Sequence, residues 1–254
     1  MKSRNRLDLE MLRRGLTESR SRAQGLIMAG KVRVDGRLET KAGAAVPPEA
    51  EISLEEAEHP WVSRGALKLE AALDAFSIRP DGLDCLDVGA STGGFTQLLL
   101  ERGAGRVIAL DVGHNQLDWK LRSDDRVIVM EGVNARKLGK GDLPFDADLI
   151  TMDLSFISLR LVIPAIAAFL KPGGLLICLV KPQFEAGRHQ VGRGGVVRDE
   201  KLRRRTIDGV VSFIEELGFE KLGLICSPIT GRKGNREELA VFRRSPRTED
   251  HPDP

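Results

Sequence analysis

The chain has 254 residues, of which 41% are hydrophobic and 30% are charged, and its net charge is +2. Such values are typical of a globular protein with one large domain, or with a small domain joined to a medium-sized one. No apolar run approaches the ~20 residues that a membrane-spanning helix needs, and the first residues do not resemble a secretory signal. We therefore predict a cytoplasmic protein that does not insert into a membrane.

The positions of the charged residues, and of the residue types that bind metals, indicate which partners and ligands to expect. Residues 1–41 contain eleven Lys or Arg against five Asp or Glu, so the basic charge is concentrated in the N-terminal part. A small basic region beside a slightly acidic body indicates a polyanionic partner. The three cysteines and four histidines are widely spaced, which predicts neither a disulfide nor a metal site.

The N-terminal part reads as two short helices followed by short strands. Residues 6–14 predict a helix that ends at Gly15, and Thr17 is a candidate N-cap for a second helix. The Asp35-Gly36 pair lies between alternating apolar residues, a strong signal for a tight hairpin. We expect these elements to form a small domain over residues 1–58.

This region resembles a known RNA-binding module. The segments R-L-D at 6–8, G-L-T-E-S-R-S-R-A at 15–23 and L-I-M-A-G-K-V-R-V-D-G at 26–36 are similar to the S4 RNA-binding domain. The resemblance implies that basic side chains bind the RNA backbone, which supplies affinity without reading sequence. The residues implicated are Arg4, Arg6, Arg20, Arg22 and Lys31. We also expect Arg64, in the hinge segment that follows this domain, to bind RNA.

The remainder of the chain predicts an α/β domain. We expect a linker at 59–66, a domain at 67–244 and a polar tail at 245–254. Nearly continuous apolar runs alternate with helical segments, a pattern that is typical of a parallel sheet covered on both faces. The predicted strands are residues 85–87, 106–111, 127–130, 147–153 and 175–180.

A glycine-rich bend follows the first of these strands. The run C-L-D-V-G-A-S-T-G-G-F-T at 85–96 has the spacing G-x-x-x-G-G, which differs from the patterns of dinucleotide and triphosphate sites. Asp111 ends the next strand about 20 residues later, where such folds place an acid on ribose hydroxyls. Asp87 suits a cofactor with an amino group. The loop therefore favours S-adenosylmethionine over NAD or ATP.

Two further charged residues end buried strands at the same predicted edge of the sheet, Asp153 and Lys181. Methyl transfer to a hydroxyl requires a base that takes up the hydroxyl proton. A partly desolvated lysine close to other cations can serve as that base. We therefore predict that Lys181 is the base and that Asp153 is its electrostatic partner.

A larger resemblance covers almost the whole chain. The segments S-R-G-A-L-K-L-E-A-A-L, L-D-V-G-A-S-T-G-G-F-T, T-M-D-L-S-F-I-S-L and L-V-K-P-Q-F-E-A-G are similar to the TlyA family, whose catalytic half resembles the FtsJ methyltransferase. The resemblance implies a small N-terminal α+β S4 domain, followed in the chain by an α/β Rossmann-like S-adenosylmethionine-dependent methyltransferase domain. It also implies a catalytic set of Lys68, Asp153, Lys181 and Glu237, with Glu238 as the alternative glutamate.

Cofactor contacts and substrate follow from the same resemblance. The implied reaction transfers a methyl group to the ribose 2'-hydroxyl of a cytidine in the ribosomal RNA of one or both subunits. The expected protein is a monomer. The implied cofactor contacts are Asp87, Gly89, Ala90, Ser91, Thr92, Gly93, Gly94, Phe95 and Asp111, with Asn134 on the adenine side.

Three other functions stay open at this point. The run Asp153-Leu154-Ser155-Phe156 partly matches the [DN]-P-P-[YF] motif of enzymes that methylate base amino groups, although Leu and Ser replace the prolines. A non-catalytic RNA-binding or ribosome-assembly factor could retain the same fold. A membrane-lytic haemolysin, a label that some relatives carry, would need an amphipathic or spanning segment that the sequence does not contain.

Overall fold

A computed structural model describes residues 4–17, 19–28, 30–54, 59–187, 190–192, 194–231 and 234–246. The chain divides into two compact units, Met1–Pro60 and Trp61–Pro254, which are described separately below. The end of the predicted first domain, residues 55–58, and residues 247–254 of the predicted tail lie outside the described residues.

The first unit consists of two helices and short antiparallel strands, as the sequence predicts. Strand β1 pairs with β4, and β3, β2 and β5 form a second small sheet. The hairpin between β2 and β3 turns at Asp35 and Gly36, which both have positive φ. The elements are β1 (Asn5–Arg6), α1 (Leu7–Arg13), α2 (Arg20–Met28), β2 (Val32–Val34), β3 (Arg37–Leu38), β4 (Ala45–Val46) and β5 (Ile52–Leu54).

The predicted start of the second helix is wrong. Helix α2 begins at Arg20, and the Ser19 hydroxyl accepts a hydrogen bond from the Arg22 amide at 3.2 Å. Ser19 immediately precedes the helix, so its hydroxyl reaches an amide of the first turn. The buried Thr17 hydroxyl has no hydrogen-bond partner within the described part of the chain.

A buried carboxylate fastens α1 to the rest of the first unit. Glu10 is 1% exposed and accepts hydrogen bonds from Arg13 at 2.5 Å and from Arg14 at 2.7 Å. Arg14 also donates to the carbonyl oxygens of Ala50 at 2.6 Å and Pro48 at 2.7 Å. The hydrogen bonds from Arg13 and Arg14 hold the pKa of Glu10 below its usual range. Arg13 and Arg14 therefore stabilise the fold of the first unit.

The second unit is an α/β domain. Its strands and α-helices mostly alternate along the chain, although no α-helix separates β8 from β9 and α8 follows α7 with no described strand between them. The elements are α3 (Gly65–Ala75), β6 (Asp84–Val88), α4 (Gly94–Glu101), β7 (Arg106–Asp111), α5 (Trp119–Arg122), β8 (Val127–Glu131), β9 (Ala147–Met152), α6 (Ile163–Ala167), β10 (Leu170–Val180), α7 (Pro182–Glu185), α8 (Glu200–Glu216), β11 (Phe219–Cys226) and β12 (Glu238–Arg244).

These strands form one seven-stranded sheet in the order β11-β12-β10-β9-β6-β7-β8. The five strands predicted from the sequence pair in parallel. Strand β12, which the sequence analysis did not predict, lies antiparallel to both β10 and β11. The described residues between β11 and β12 contain no crossover helix, and the two strands pair as antiparallel neighbours. The start of β12 therefore lies at the edge where the parallel strands end.

Both faces of the sheet are covered, as the apolar runs predict. On one face, strand residues such as Leu86 and Ile150 pack against residues of α6 and α8, including Ile166 and Ile207. On the other face, α3 and α4 cover strand residues such as Cys85. No described helix combines the length and the apolar character that crossing a membrane requires.

We predict that Glu10→Gln loosens the first unit. Hydrogen bonds to a charged group stabilise by roughly 1.5–3 kcal/mol, so amides of α1 should exchange with solvent at least tenfold faster, measured by hydrogen exchange with mass spectrometry. The exposed Glu51→Gln is the control. Because the folded pKa of Glu10 lies below the unfolded value, wild type should lose this protection as pH falls below about 4.5. Equal exchange in both variants would contradict this assignment.

Candidate active site

The glycine-rich loop joins β6 to α4 and lies against the end of β9. Gly89, Ser91 and Gly93 have positive φ values of 85°, 49° and 96°. A Cβ atom on Gly89 would lie 2.8 Å from the Asp153 carbonyl oxygen. The loop therefore requires glycine at 89 both for its backbone conformation and for its contact with the neighbouring strand.

Asp111 ties this loop to the next strand. One carboxylate oxygen accepts a hydrogen bond from the Ser91 amide at 2.8 Å, and the other accepts from the Gly113 amide at 2.7 Å. Asp111 is half-buried at the end of β7, beside the loop, as the sequence predicts. It thus fixes the positions of two loops at the carboxyl edge of the sheet.

Asp87 lies beneath the loop. Its carboxylate is completely buried and accepts hydrogen bonds from the hydroxyls of Thr96 at 2.7 Å and Thr151 at 3.1 Å. Burial raises the pKa of Asp87 to about 7, although these hydrogen bonds act in the opposite direction. The carboxylate therefore links α4 to β9, and its contact with a cofactor amino group stays a prediction.

The other predicted cofactor residues differ in their exposure to solvent. Ser91 and Thr92 are exposed at the tip of the loop, and Asn134 is exposed after β8. The Asn134 side chain accepts a hydrogen bond from the Arg136 amide at 3.1 Å, which caps a short 3₁₀ turn. A ligand at the loop would therefore meet two hydroxyls and backbone groups. The buried members of the set are Ala90, Gly93, Gly94 and Phe95.

The four predicted catalytic residues meet at the same edge of the sheet. Lys68 lies in the first turn of α3, Asp153 and Lys181 follow β9 and β10, and Glu237 precedes β12. The Lys181 Nζ atom is 2.5 Å from Asp153 Oδ1, and Lys68 Nζ is 2.7 Å from Glu237 Oε2. Lys68 Nζ also lies 3.8 Å from Asp153 Oδ2. The set is therefore a chain of alternating charges.

Burial strengthens the interactions within this set. The side chains of Lys68, Lys181 and Glu237 are 10%, 9% and 3% exposed, whereas that of Asp153 is 21% exposed. Charges that are removed from water interact more strongly, and each lysine has a carboxylate partner. Glu238 contacts Arg203 at 2.6 Å instead. The geometry thus favours Glu237 as the fourth member.

The sequence analysis missed two polar residues around this set. The Lys181 Nζ atom is 2.9 Å from the Ser155 hydroxyl oxygen. Gln183 donates a hydrogen bond from Nε2 to Glu237 Oε1 at 3.2 Å. Both residues lie in segments that carry the family resemblance, next to Asp153 and Lys181, and this adjacency was the available signal.

An exposed aromatic ring also lies at this edge. Phe156 is 90% exposed and has a φ of 65°, an unusual conformation for a bulky residue. Its ring centroid is 5.1 Å from that of Phe184, and Lys181 Nζ is 5.9 Å from the Phe184 centroid. The loop after β9 thus presents a flat apolar surface close to the lysine.

In the first unit, a buried carboxylate fixes two of the predicted RNA-binding arginines. Asp8 is completely buried and accepts hydrogen bonds from Arg6 and Arg20, each at 3.0 Å. The side chains of Arg6 and Arg20 stay 48% and 51% exposed. The remaining predicted residues do not share this partner. Arg4, Arg22 and Arg64 are exposed, and Lys31 is half-buried.

Comparison with known proteins gives a consistent result for both units. The model of the FtsJ-like methyltransferase family matches residues 61–244, and that of the S4 domain matches residues 5–52. The 16S/23S rRNA (cytidine-2'-O)-methyltransferase TlyA of Mycobacterium tuberculosis is 49% identical over 96% of this chain and 91% of its own length. Hemolysin A of Brachyspira hyodysenteriae is 43% identical over 93% of this chain and 99% of its own.

A solved structure shows the same architecture. A candidate hemolysin from Streptococcus thermophilus is 42% identical and superposes with a TM-score of 0.74, covering 96% of this chain and 90% of its own. The predicted Rossmann-like fold with an N-terminal S4 domain is confirmed. The chain belongs to the FtsJ-like methyltransferase family and, within it, to the TlyA proteins.

Proposed function

We propose that this enzyme transfers a methyl group from S-adenosylmethionine to the ribose 2'-hydroxyl of a cytidine in ribosomal RNA within a ribosomal subunit. The observation that carries the proposal is the pair of lysine–carboxylate contacts beside the glycine-rich loop. The activity for which the Mycobacterium tuberculosis relative is named supports this substrate. Such a substrate places the reaction in the cytoplasm, and we expect the chain to act as a monomer.

The loop after β6 fits S-adenosylmethionine. A Cβ atom at position 89 would meet the Asp153 carbonyl oxygen, so glycine lets the loop pack on the end of β9 beside the proposed cofactor site. Asp111 is suited to the ribose hydroxyls, and Ser91 and Thr92 line the exposed rim of the loop. Asp87 supports the loop from below through Thr96 and Thr151. When bound, the cofactor supplies a methyl group on a positively charged sulfur.

The proposed chemical role of the charged set is proton transfer. Lys181, once it has given up its own proton, would take up the proton of the 2'-hydroxyl. The cofactor would supply the methyl group to that oxygen and leave as S-adenosylhomocysteine, whose sulfur keeps the electron pair of the broken carbon–sulfur bond. Asp153 then stabilises the ammonium that forms, at the 2.5 Å separation found here. Lys68 lies 3.8 Å from the other Asp153 oxygen and is held by Glu237, so it orients that carboxylate.

Phe156 and the first unit provide contacts to RNA. The exposed ring of Phe156 can stack on the target base, since a base presents a flat face that aromatic side chains bind. Arg6 and Arg20 each donate some of their guanidinium N–H groups to Asp8. Their other N–H groups can donate to phosphate oxygens. The other proposed backbone contacts are Arg4, Arg22, Lys31 and Arg64.

The proposed function is tested by locating the transferred methyl group. Unmodified ribosomal subunits and the free RNA are incubated with the enzyme and labelled S-adenosylmethionine, and the modified nucleotide is mapped by mass spectrometry. We expect 2'-O-methylcytidine. A methyl group on a base would favour the amino methyltransferase alternative, and no incorporation despite RNA binding would favour the non-catalytic one.

We predict that Gly89→Ala weakens binding of S-adenosylhomocysteine at least tenfold, measured by calorimetry. The added Cβ would approach the Asp153 carbonyl oxygen to 2.8 Å, so the loop must shift. Gly82→Ala is the matched control, because Gly82 also has positive φ but has open space around its Cβ position. Similar affinities for the two variants would contradict the proposed cofactor site.

Replacing the base should separate chemistry from binding. Lys181→Arg keeps a positive charge that cannot be given up near neutral pH. We expect kcat to fall roughly 10²- to 10⁴-fold, the usual contribution of a general base, with RNA and cofactor affinities retained. Lys171→Arg, at the opposite edge of the sheet, serves as the control for the substitution. An active Lys181→Arg enzyme would rule out lysine as the base.

The stacking role of Phe156 predicts dependence on an aromatic ring. Phe156→Leu should raise KM for RNA about tenfold, since one stacked base contributes roughly 1–3 kcal/mol, whereas Phe156→Tyr should stay close to wild type. Steady-state kinetics with the RNA substrate measures both. If leucine and tyrosine gave the same KM, the ring would not stack on a base.

A further inference from the structure

Helix α8 carries three exposed basic side chains near its N-terminal end, Lys201, Arg204 and Arg205, here named the α8 basic face. Together with Glu200 they line an open depression on the surface. No ion pair joins these three side chains to a carboxylate among the described residues. The helix amides of Lys201 and Leu202 are capped by Asp199, so the side chains are the available donors.

The acidic residues close to the α8 basic face already form ion pairs with Arg203. Glu200 contacts Arg203 at 2.5 Å, and Arg203 also contacts Glu238 at 2.6 Å. Arg203 is 6% exposed, so this arginine serves the fold rather than a ligand. The hydrogen bond from Arg203 lowers the pKa of Glu200, and the charges of Arg203, Arg236 and Arg204 lower it further. The region around Glu200 therefore holds an excess of positive charge.

A buried side chain joins this region to the catalytic edge. Asn235 is 3% exposed, donates to the Gly195 carbonyl oxygen at 2.8 Å and accepts from the Val197 amide at 3.1 Å. It thereby fastens the segment before α8 to the segment before β12. Arg236 and Glu237 follow directly, so the fold places the exposed Arg236 next to the catalytic glutamate.

A pocket lies between the segment before β12 and helix α8. It has a volume of about 270 Å³ and is lined by Arg203, Arg236 and Glu237, together with the hydroxyl-bearing residues Ser227 and Thr230. Glu237 faces Lys68 on its catalytic side. Arg236 and Glu237 thus line one pocket with Arg203 of α8, the residue that directly precedes Arg204 of the α8 basic face.

We propose that Arg236 and the α8 basic face bind the phosphate backbone of the RNA strand that flanks the methylated nucleotide. Guanidinium groups donate paired hydrogen bonds to phosphate oxygens, and an excess of positive charge is complementary to a polyanion. None of the residues named for the pocket or the face is aromatic, which favours backbone contact over base stacking. The proposal rests on the proposed function, because it takes the same RNA as its ligand.

The test compares two double variants of the full chain. Arg204→Ala/Arg205→Ala removes two charges from the α8 basic face, and Arg79→Ala/Lys221→Ala removes two exposed charges elsewhere in the same unit. Affinity for unmodified ribosomal subunits is measured at several salt concentrations, and S-adenosylhomocysteine affinity verifies folding. Restoration by Arg204→Lys/Arg205→Lys would show that the charge is responsible.

We expect the first variant to bind RNA about tenfold more weakly. The slope of log affinity against log salt should fall by about 2, because each removed charge leaves one phosphate without its cation. The rate at saturating RNA and the methylated position should not change. A slope equal to that of the control variant would overturn the proposal. Binding is measured without methyl transfer, so a wild-type enzyme that fails to methylate would contradict the proposed function separately.

Discussion

The contact between Lys181 and Asp153 is the interaction on which the site depends. The two groups are 2.5 Å apart at the ends of adjacent parallel strands, largely removed from water. Lys68 approaches the other oxygen of the same carboxylate and is itself neutralised by Glu237. The two lysines can therefore stay close together in a partly buried site, because Asp153 lies between them and Glu237 pairs with Lys68. Removing either carboxylate would leave a lysine without its partner.

The topology of the sheet explains how residues from four distant segments meet. Parallel strands end at one edge, which collects Asp111, Asp153 and Lys181. Strand β12 runs in the opposite direction, so its N-terminal flank brings Glu237 to that edge as well. The glycine-rich loop packs against the end of β9 at Gly89, which places the proposed cofactor site directly beside Asp153. The proposed cofactor binding and the proposed proton transfer thus take place at one strand end.

Part of this site could be predicted from local sequence and part could not. Asp153 and Lys181 each follow an apolar run, a signal that needs no knowledge of tertiary structure. Lys68 and Glu237 are 169 residues apart in the chain, so only the family resemblance indicated their contact. The burial of Asp87 depends on α4 and β9 packing around it, and the hydroxyl partners that these elements supply cannot be read from a strand-end pattern.

The central claim is that the attacking nucleophile is a ribose hydroxyl whose proton passes to Lys181. The most direct measurement uses two RNA substrates that differ at one position, with cytidine or 2'-deoxycytidine at the mapped nucleotide, and compares methyl incorporation and binding. The account predicts that the deoxy substrate binds with similar affinity and accepts no methyl group. Methylation of the deoxy substrate at that nucleotide would contradict it.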